Sequence, residues 1–234
     1  GTANRIDNAA DRFVIAGGRA HNVTGCEGFI GGGIRHTNYS NNGASLGGAD
    51  NDLRADATNS VVVGGQYNVV NEDNAGIFAG YKNQIQSDRS VVLGGYLGRI
   101  MGGGVNNAIV GGFNHTATGA DRTVIAGGRD NKVYTDANDC FIGGSEDAIV
   151  HASRTAIVGG LNHYVDASTN NSGILAGNTT TLFDSVNTAV AGGYSHTITG
   201  SNRTFIGGGN GHNIDSSAES AILGGEDHVL TSAG

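Results

Sequence analysis

The chain has 234 residues, of which 42 are glycine and none is proline, and its formal net charge is −8. The 13 basic residues are scattered along the sequence, so they form no basic stripe of the kind that nucleic-acid binding requires. No apolar run approaches the ~18 residues of a membrane-spanning helix, and no charged-then-apolar leader is present. We therefore expect neither nucleic acid nor membrane insertion.

A glycine recurs along the whole sequence at a nearly constant interval. The fourteen glycines are Gly18, Gly33, Gly48, Gly65, Gly80, Gly95, Gly112, Gly128, Gly144, Gly160, Gly177, Gly193, Gly209 and Gly225. A period of about 16 residues accommodates two or three brief strands and their corners, which is one coil of a β-solenoid and too little for a helical repeat. The sequence therefore predicts an all-β fold, a parallel β-solenoid (β-roll) of about fourteen such coils. We expect one repeat domain over residues 1–234, forming a segment of a longer fibrous protein.

Positions within a coil are counted from this glycine, which is position 0. Position −6 is polar in every coil, and no two of its five arginines fall in neighbouring coils. Both glutamates of the column, Glu27 and Glu219, lie next to a coil with an arginine, which favours ion pairs between stacked coils. Asn42, Asn59 and Asn74 follow one another and predict a ladder of amide hydrogen bonds. We interpret this column as structural.

The strand before the glycine is apolar on both of its faces. Position −3 points into the coil, as at Val92, and position +5 supplies a facing apolar layer. Positions −4 and −2 point the opposite way, yet they carry residues such as Val91 and Leu93. In the ninth coil the same alignment places Phe141 inside and Ile142 outside. Because a strand that is apolar on both faces is buried on both, we expect two further copies of the chain to cover the outer face in a homotrimer.

Two corners are predicted from residues that tolerate a positive φ. Glycine at position 0 indicates a positive φ or a backbone approach too close for a Cβ. These corner glycines include Gly65, Gly95, Gly128 and Gly160. Position +3 is mostly Asn or His, the types that tolerate the left-handed region best after glycine, and seven of the eight histidines fall there. We interpret this column, including Asn68 and His163, as the second corner.

A metal site is the alternative interpretation of the histidine column. His196, His212 and His228 occur in three consecutive coils. A metal needs nitrogens that converge on one ion at ~2.0–2.1 Å, whereas parallel rings one strand spacing apart do not converge. We therefore predict no metal, and the sequence indicates no cofactor.

Aromatic residues occur in four consecutive coils just after the glycine. Tyr67, Tyr81, Tyr96 and Phe113 stand at positions +1 and +2, where the repeats vary freely. Aromatic faces beside amide and hydroxyl groups can stack on sugar rings, so this aromatic strip is our candidate glycan site. The alternative is a self-stacking ladder that only stabilises the solenoid.

Several coils resemble known surface-protein repeats. Residues 90–95 (Ser-Val-Val-Leu-Gly-Gly) and 220–225 (Ser-Ala-Ile-Leu-Gly-Gly) resemble the Ser-Val-Ala-Ile-Gly repeats of trimeric autotransporter adhesin heads. Residues 64–68 (Gly-Gly-Gln-Tyr-Asn) are similar to repeat segments of phage tail fibres. The resemblance extends over the whole chain and implies a left-handed, trimeric β-roll at a bacterial or virion surface.

These expectations combine into a structural or adhesive segment of an extracellular fibre that attaches to a host surface, receptor or glycan and has no catalytic role. One alternative is a polysaccharide-degrading glycosidase, for which Asp130 and Glu146 would supply paired carboxylates at position +2 of adjacent coils. We expect these to be solvated surface acids, because no apolar pocket is available to raise one pKa. A second alternative is an ice-binding solenoid, but no outward column repeats one residue type regularly.

Overall fold

The computed structural model describes residues 1–7 and 10–232. It forms a parallel β-solenoid of about fourteen coils, as the glycine period predicts. The chain divides into two units, Gly1–Thr118 and Gly119–Gly234. The described residues contain no helix, and hence none long and apolar enough to cross a bilayer.

Fifteen short strands occur in residues 1–7 and 10–118. They are β1 (Arg5–Ile6), β2 (Val14–Ile15), β3 (Asn22–Val23), β4 (Phe29–Ile30), β5 (Thr37–Asn38), β6 (Ala44–Ser45), β7 (Asp52–Leu53), β8 (Val61–Val62), β9 (Val69–Val70), β10 (Gly76–Ile77), β11 (Gln84–Ile85), β12 (Val91–Val92), β13 (Arg99–Met101), β14 (Ala108–Ile109) and β15 (Thr116–Thr118). The odd-numbered strands form one parallel ladder, and the even-numbered strands form the other. Each strand pairs with its equivalent in the next coil.

Thirteen strands occur in residues 119–232. They are β16 (Val124–Ile125), β17 (Lys132–Val133), β18 (Phe141–Glu146), β19 (Ile149–Val150), β20 (Ala156–Val165), β21 (Gly173–Ile174), β22 (Asn178–Phe183), β23 (Ala189–Val190), β24 (Tyr194–Thr199), β25 (Phe205–Ile206), β26 (Asn213–Asp215), β27 (Ala221–Ile222) and β28 (Val229–Thr231). They form the same two kinds of parallel ladder, and the long strand β20 takes part in both.

One side chain from each ladder fills the interior of a coil. The largest fully buried side chains are Ile30, Leu53, Ile77, Ile85, Ile100, Ile109, Ile125, Ile142, Ile157, Ile174, Leu182 and Ile198. Burial of one such side chain contributes about 1.5–3 kcal/mol, so the core is a sum of similar, local contributions rather than one central cluster.

The glycine at position 0 is required for two reasons at once. Gly65, Gly95, Gly128 and Gly160 have φ values of 82°, 99°, 92° and 107°. A Cβ at Gly95 would also lie 2.7 Å from the carbonyl oxygen of Gly112 in the next coil. The preceding residue is different, because a Cβ at Gly94 would have no atom within 4 Å. This open space explains why position −1 can also be alanine.

The prediction that position +3 is a left-handed corner is wrong by one residue. Position +2 has the positive φ, as at Tyr67 (58°) and Asn162 (56°), whereas Asn68 and His163 follow it. Both residues at +3 are buried, with 0% and 1% of their surface exposed. Their side chains point into the coil, where their polar atoms meet the backbone, and this is why the column favours Asn and His.

Asparagine and histidine at position +3 make equivalent hydrogen bonds to the next coil. Oδ1 of Asn68 accepts the backbone N–H of Asn83 (3.0 Å), and Nδ1 of His21 accepts the backbone N–H of His36 (3.2 Å). The Asn68 amide also donates to the carbonyls of Gly64 and Gly80 (3.1 and 3.2 Å). An imidazole whose Nδ1 accepts is the neutral tautomer with its proton on Nε2. The side chain at position +3 therefore needs a hydrogen-bond acceptor and a donor in fixed positions relative to the backbone.

The glycine period is out of register in one coil. Strand β18 pairs with β20 so that Ser145, not Gly144, lies opposite Gly160, and Phe141 lies opposite Ala156. Phe141 therefore points outward and Ile142 inward, the reverse of the assignment from the sequence. Burial explains the shift, because Ile142 is fully buried while the Phe141 ring stays 41% exposed.

Substitution of the corner glycine tests the two causes of its requirement. Gly160→Ala introduces a Cβ that overlaps the backbone of Gly177 at a positive φ, and we expect a loss of about 2–4 kcal/mol in the free energy of unfolding. Gly159→Ala is the matched control, because a Cβ there meets open space. Urea unfolding of both variants measures the difference, and equal losses would contradict this account.

Acid should destabilise the solenoid through the buried imidazoles. Burial lowers the pKa of His21, His36, His163 and His196 below the ordinary 6.5. The unfolded chain therefore binds these protons before the folded chain does. The stability that these neutral imidazoles contribute is fully present above about pH 6.5 and falls as the pH decreases below that value. We expect the urea midpoint to decrease between about pH 7 and pH 5.5.

His36→Asn provides a matched variant for the acid effect. An amide there can offer its oxygen to the N–H of Asn51, which Nδ1 of His36 accepts at 3.3 Å. We expect the variant to keep its stability at neutral pH and to lose less of it in acid. A urea midpoint that is independent of pH in the wild-type chain would refute the imidazole account.

Candidate interaction surfaces

The outer face of the −4 to −2 strand segment is apolar and open in the single chain. We call the side chains at positions −4 and −2 the apolar face. Its most exposed members are Val14, Phe29, Leu46, Phe78, Leu93, Val110, Phe141, Val158, Leu175, Phe205 and Leu223. Each is more than a third exposed, for example 47% for Phe78 and 44% for Leu93. The second apolar face of this strand is therefore present in both units, as the sequence predicts.

In five coils a large residue of the apolar face is paired with glycine. Glycine accompanies the largest residues in the pairs Phe29/Gly31, Gly76/Phe78, Phe141/Gly143, Gly173/Leu175 and Phe205/Gly207. The Phe29 ring approaches to 3.2 Å from the place that a Cβ at Gly31 would occupy, so the ring leans over the glycine. Other coils do not follow this rule, since Val91 and Leu93 are both large and Ala189 and Ala191 are both small. This pairing is visible in the sequence only when the two columns are compared coil by coil.

A polar column borders the apolar face at position −6, where the residues also have positive φ. Arg122 Nε donates to Asp139 Oδ1 (2.5 Å), and Arg203 Nη2 donates to Glu219 Oε1 (2.6 Å). Asn42 Nδ2 donates to Asn59 Oδ1 (3.0 Å), as the predicted amide ladder requires. Asp139 replaces Asn138 in this column because of the register shift in the ninth coil. Opposite charges are therefore paired at Arg122 and Arg203, whereas Arg89 donates to the neutral amide of Asn106 (3.2 Å).

The aromatic strip forms as the sequence predicts. The ring centroids of Tyr81 and Tyr96 are 5.2 Å apart, and those of Tyr96 and Phe113 are 5.0 Å apart, both pairs being stacked. Tyr67 meets Tyr81 edge-on at 5.6 Å, and Lys82 Nζ lies 5.1 Å from the Tyr81 ring centroid. Tyr96 and Phe113 keep 39% and 44% of their surface exposed. The strip is thus both a self-stacked ladder and an accessible aromatic surface.

The two carboxylates considered for catalysis do not share a column. Glu146 is paired with Arg129 at position +1, whereas Asp130 is at +2 with a φ of 54°. Arg129 contacts both acids, with Nε 3.0 Å from Asp130 Oδ2 and Nη1 3.7 Å from Glu146 Oε1. The prediction that Asp130 and Glu146 share position +2 of adjacent coils is therefore wrong by one residue at Glu146.

The histidine column is arranged for stacking between coils. The rings of His196 and His212 are 5.0 Å apart, and those of His212 and His228 are 5.2 Å apart. Nδ1 of His196 and of His212 each accepts a backbone N–H of the next coil at 3.3 Å. Within residues 1–7 and 10–232, no group of three His, Cys, Asp or Glu side chains is placed to hold a metal ion.

The buried thiol of Cys140 belongs to a structural column as well. Its Sγ donates to the carbonyl oxygen of Ala152 (3.1 Å), at a position where other coils have buried Ser or Thr. Burial raises the pKa of this thiol to about 11, so it remains protonated and unreactive near neutral pH.

Comparison with known proteins adds no relative to this description. No family model matches the chain, and no curated protein matches it either. Support for the repeat fold therefore comes from the structure, and the adhesin or tail-fibre identity stays a prediction.

Proposed function

We propose that this chain is a structural and adhesive segment of an extracellular fibre, in which three copies pack through their apolar faces. The observation that supports this proposal is the row of exposed Val, Leu and Phe side chains along the −4 to −2 strand segment. Contiguous apolar surface of this kind marks an interaction site in soluble proteins.

Further copies of the same chain are the occupant that suits this face best. The face repeats at every coil, so a partner must repeat with the same axial spacing, which another copy does by construction. A closed cyclic arrangement with parallel axes gives every coil the same environment. Three chains around one axis are the simplest arrangement that buries a narrow stripe. The hydrogen-bonded polar pairs of position −6 suit the border of such an interface, because a rim tolerates paired polar groups.

The aromatic strip is the proposed contact with a cell-surface glycan. It lies at positions +1 and +2, outside the −4 to −2 segment, and Tyr96 and Phe113 are exposed in the single chain. Its stacked rings present a flat apolar surface, and Lys82 adds a hydrogen-bond donor beside it. Sugar rings carry an apolar face and hydroxyl groups, which this combination accommodates.

Two aspartate substitutions test the assembly. Val63→Asp places a carboxylate on the apolar face, where association would bury it at a cost of several kcal/mol per ion. Val69→Asp is the matched control, because Val69 is also half-buried and outward-facing but lies on the other ladder. Light scattering should give a trimer for the wild-type chain and the control and a monomer for Val63→Asp. A wild-type monomer, or dissociation by both variants, would be incompatible with the proposal.

Tyr96 substitutions separate glycan contact from simple stacking. Tyr96→Ala removes two stacked pairs, and we expect it to lower the free energy of unfolding by about 1–3 kcal/mol in either case. Only a glycan role also predicts a loss of about tenfold or more in binding on a glycan array. Tyr96→Phe keeps the ring and should retain most of the binding. Unchanged binding by Tyr96→Ala would leave the strip with a structural role alone.

A further inference from the structure

The coils of the N-terminal unit differ in length with a regular order. The intervals Gly1–Gly18 and Gly48–Gly65 are long, whereas Gly18–Gly33 and Gly33–Gly48 between them are shorter and equal in length. In the Gly48–Gly65 coil the extra residues fall after position +6, where Ala57 N–H donates to Arg54 O at 3.0 Å. In the Gly1–Gly18 coil Ala10 N–H donates to Asp7 O at the same distance. The two short coils continue without this extra turn.

Two long coils that flank two short coils leave a notch in the surface. The notch is a cavity of about 410 Å³ on the outer side of the odd-numbered ladder. It is lined by Arg5, Asp7, Asn22, Thr24, Tyr39 and Ala55. Arg5 and Asp7 come from one long coil and Ala55 from the other, while Thr24 and Tyr39 come from the short coils between them.

The notch combines a fixed aromatic ring with an ion pair. Tyr39 is 39% exposed, and Asn22 Nδ2 donates to its hydroxyl oxygen at 3.0 Å. This hydrogen bond holds the ring in one orientation before any ligand arrives, which reduces the entropic cost of binding. Arg5 Nη2 lies 3.4 Å from Asp7 Oδ2, and both side chains remain solvent-accessible. The guanidinium can donate to a ligand hydroxyl, and the carboxylate can accept from one.

We propose that the notch binds one neutral pyranose unit of a polysaccharide. A pyranose presents an apolar C–H face, which suits the Tyr39 ring, and a rim of hydroxyls that both donate and accept. One positive and one negative group balance the charge of the notch, so an acidic sugar gains no net attraction. The site shares no residue with the aromatic strip and depends neither on that strip nor on trimer formation.

The same unit supplies an internal control. The order of one long, two short and one long coil recurs from Gly48 to Gly112, and in that second set Gln86 takes the place that Tyr39 has in the first. The second set therefore has the same coil lengths without the aromatic ring. Gln86→Ala is accordingly the matched control for Tyr39→Ala.

Saturation-transfer NMR on the whole chain tests the proposal. The probes are the methyl pyranosides of glucose, galactose, mannose and N-acetylglucosamine, with methyl glucuronoside as the acidic comparison. We expect at least one neutral probe to bind, and Tyr39→Ala to weaken it about tenfold or more. Gln86→Ala and Tyr96→Ala should leave binding unchanged. Asp7→Asn, a substitution at an accessible side chain, should weaken binding without affecting folding.

Three results would overturn the proposal. They are no transfer from any neutral probe, a preference for the glucuronoside, and binding that survives both Tyr39→Ala and Asp7→Asn. Circular dichroism of each variant shows whether its fold is intact, and light scattering reports assembly separately. A monomeric chain that still binds through Tyr39 would contradict the assembly and support the notch.

Discussion

Axial pairing of one coil with the next is the constraint on which the rest of this structure depends. Every strand bonds to its equivalent in the neighbouring coil, so each backbone position must keep its place relative to the same position one strand spacing away. The corner glycine shows how little freedom this leaves, since a Cβ at Gly95 would lie 2.7 Å from the carbonyl oxygen of Gly112. Between the two ends, short strands suffice because each one is held from both axial directions and is buried on its inner face.

The column at position +3 was identified correctly from the sequence, but its structural role was assigned wrongly. Asn and His tolerate a left-handed backbone, and they also carry an acceptor and a donor at similar reach. The sequence cannot distinguish these two properties in one column. The structure assigns the left-handed conformation to Tyr67 and the polar bridging to Asn68, which accepts one backbone N–H and donates to two carbonyls. Position +2 tolerates many residue types because its side chain points outward. Its residue composition therefore does not reveal that its backbone is left-handed.

Strand composition predicted the fold well because the period, the buried columns and the apolar outer face all follow from alternation and spacing. The register of the ninth coil could not be predicted in this way. Its doubled glycines offer two candidates for position 0, and Ser145 stands where the other coils have glycine. Burial decides between them, because Ile142 fits the coil interior and Phe141 does not. The aromatic strip was predictable for a simpler reason. Side chains at equivalent positions of stacked coils must lie near one another, whatever they bind.

The apolar face raises a question that the interior of the coil does not answer. Interior packing explains the residues at positions −3 and +5, but positions −4 and −2 project away from it and have no need to share a fixed volume. In five coils, nevertheless, one of the two positions has a large side chain and the other has glycine, as in Phe29 with Gly31 and Gly76 with Phe78. Contacts within the solenoid explain the glycine of such a pair, since a Cβ at Gly31 would lie 2.6 Å from the carbonyl oxygen of Leu46, but they give no role to the exposed apolar side chain of Phe29.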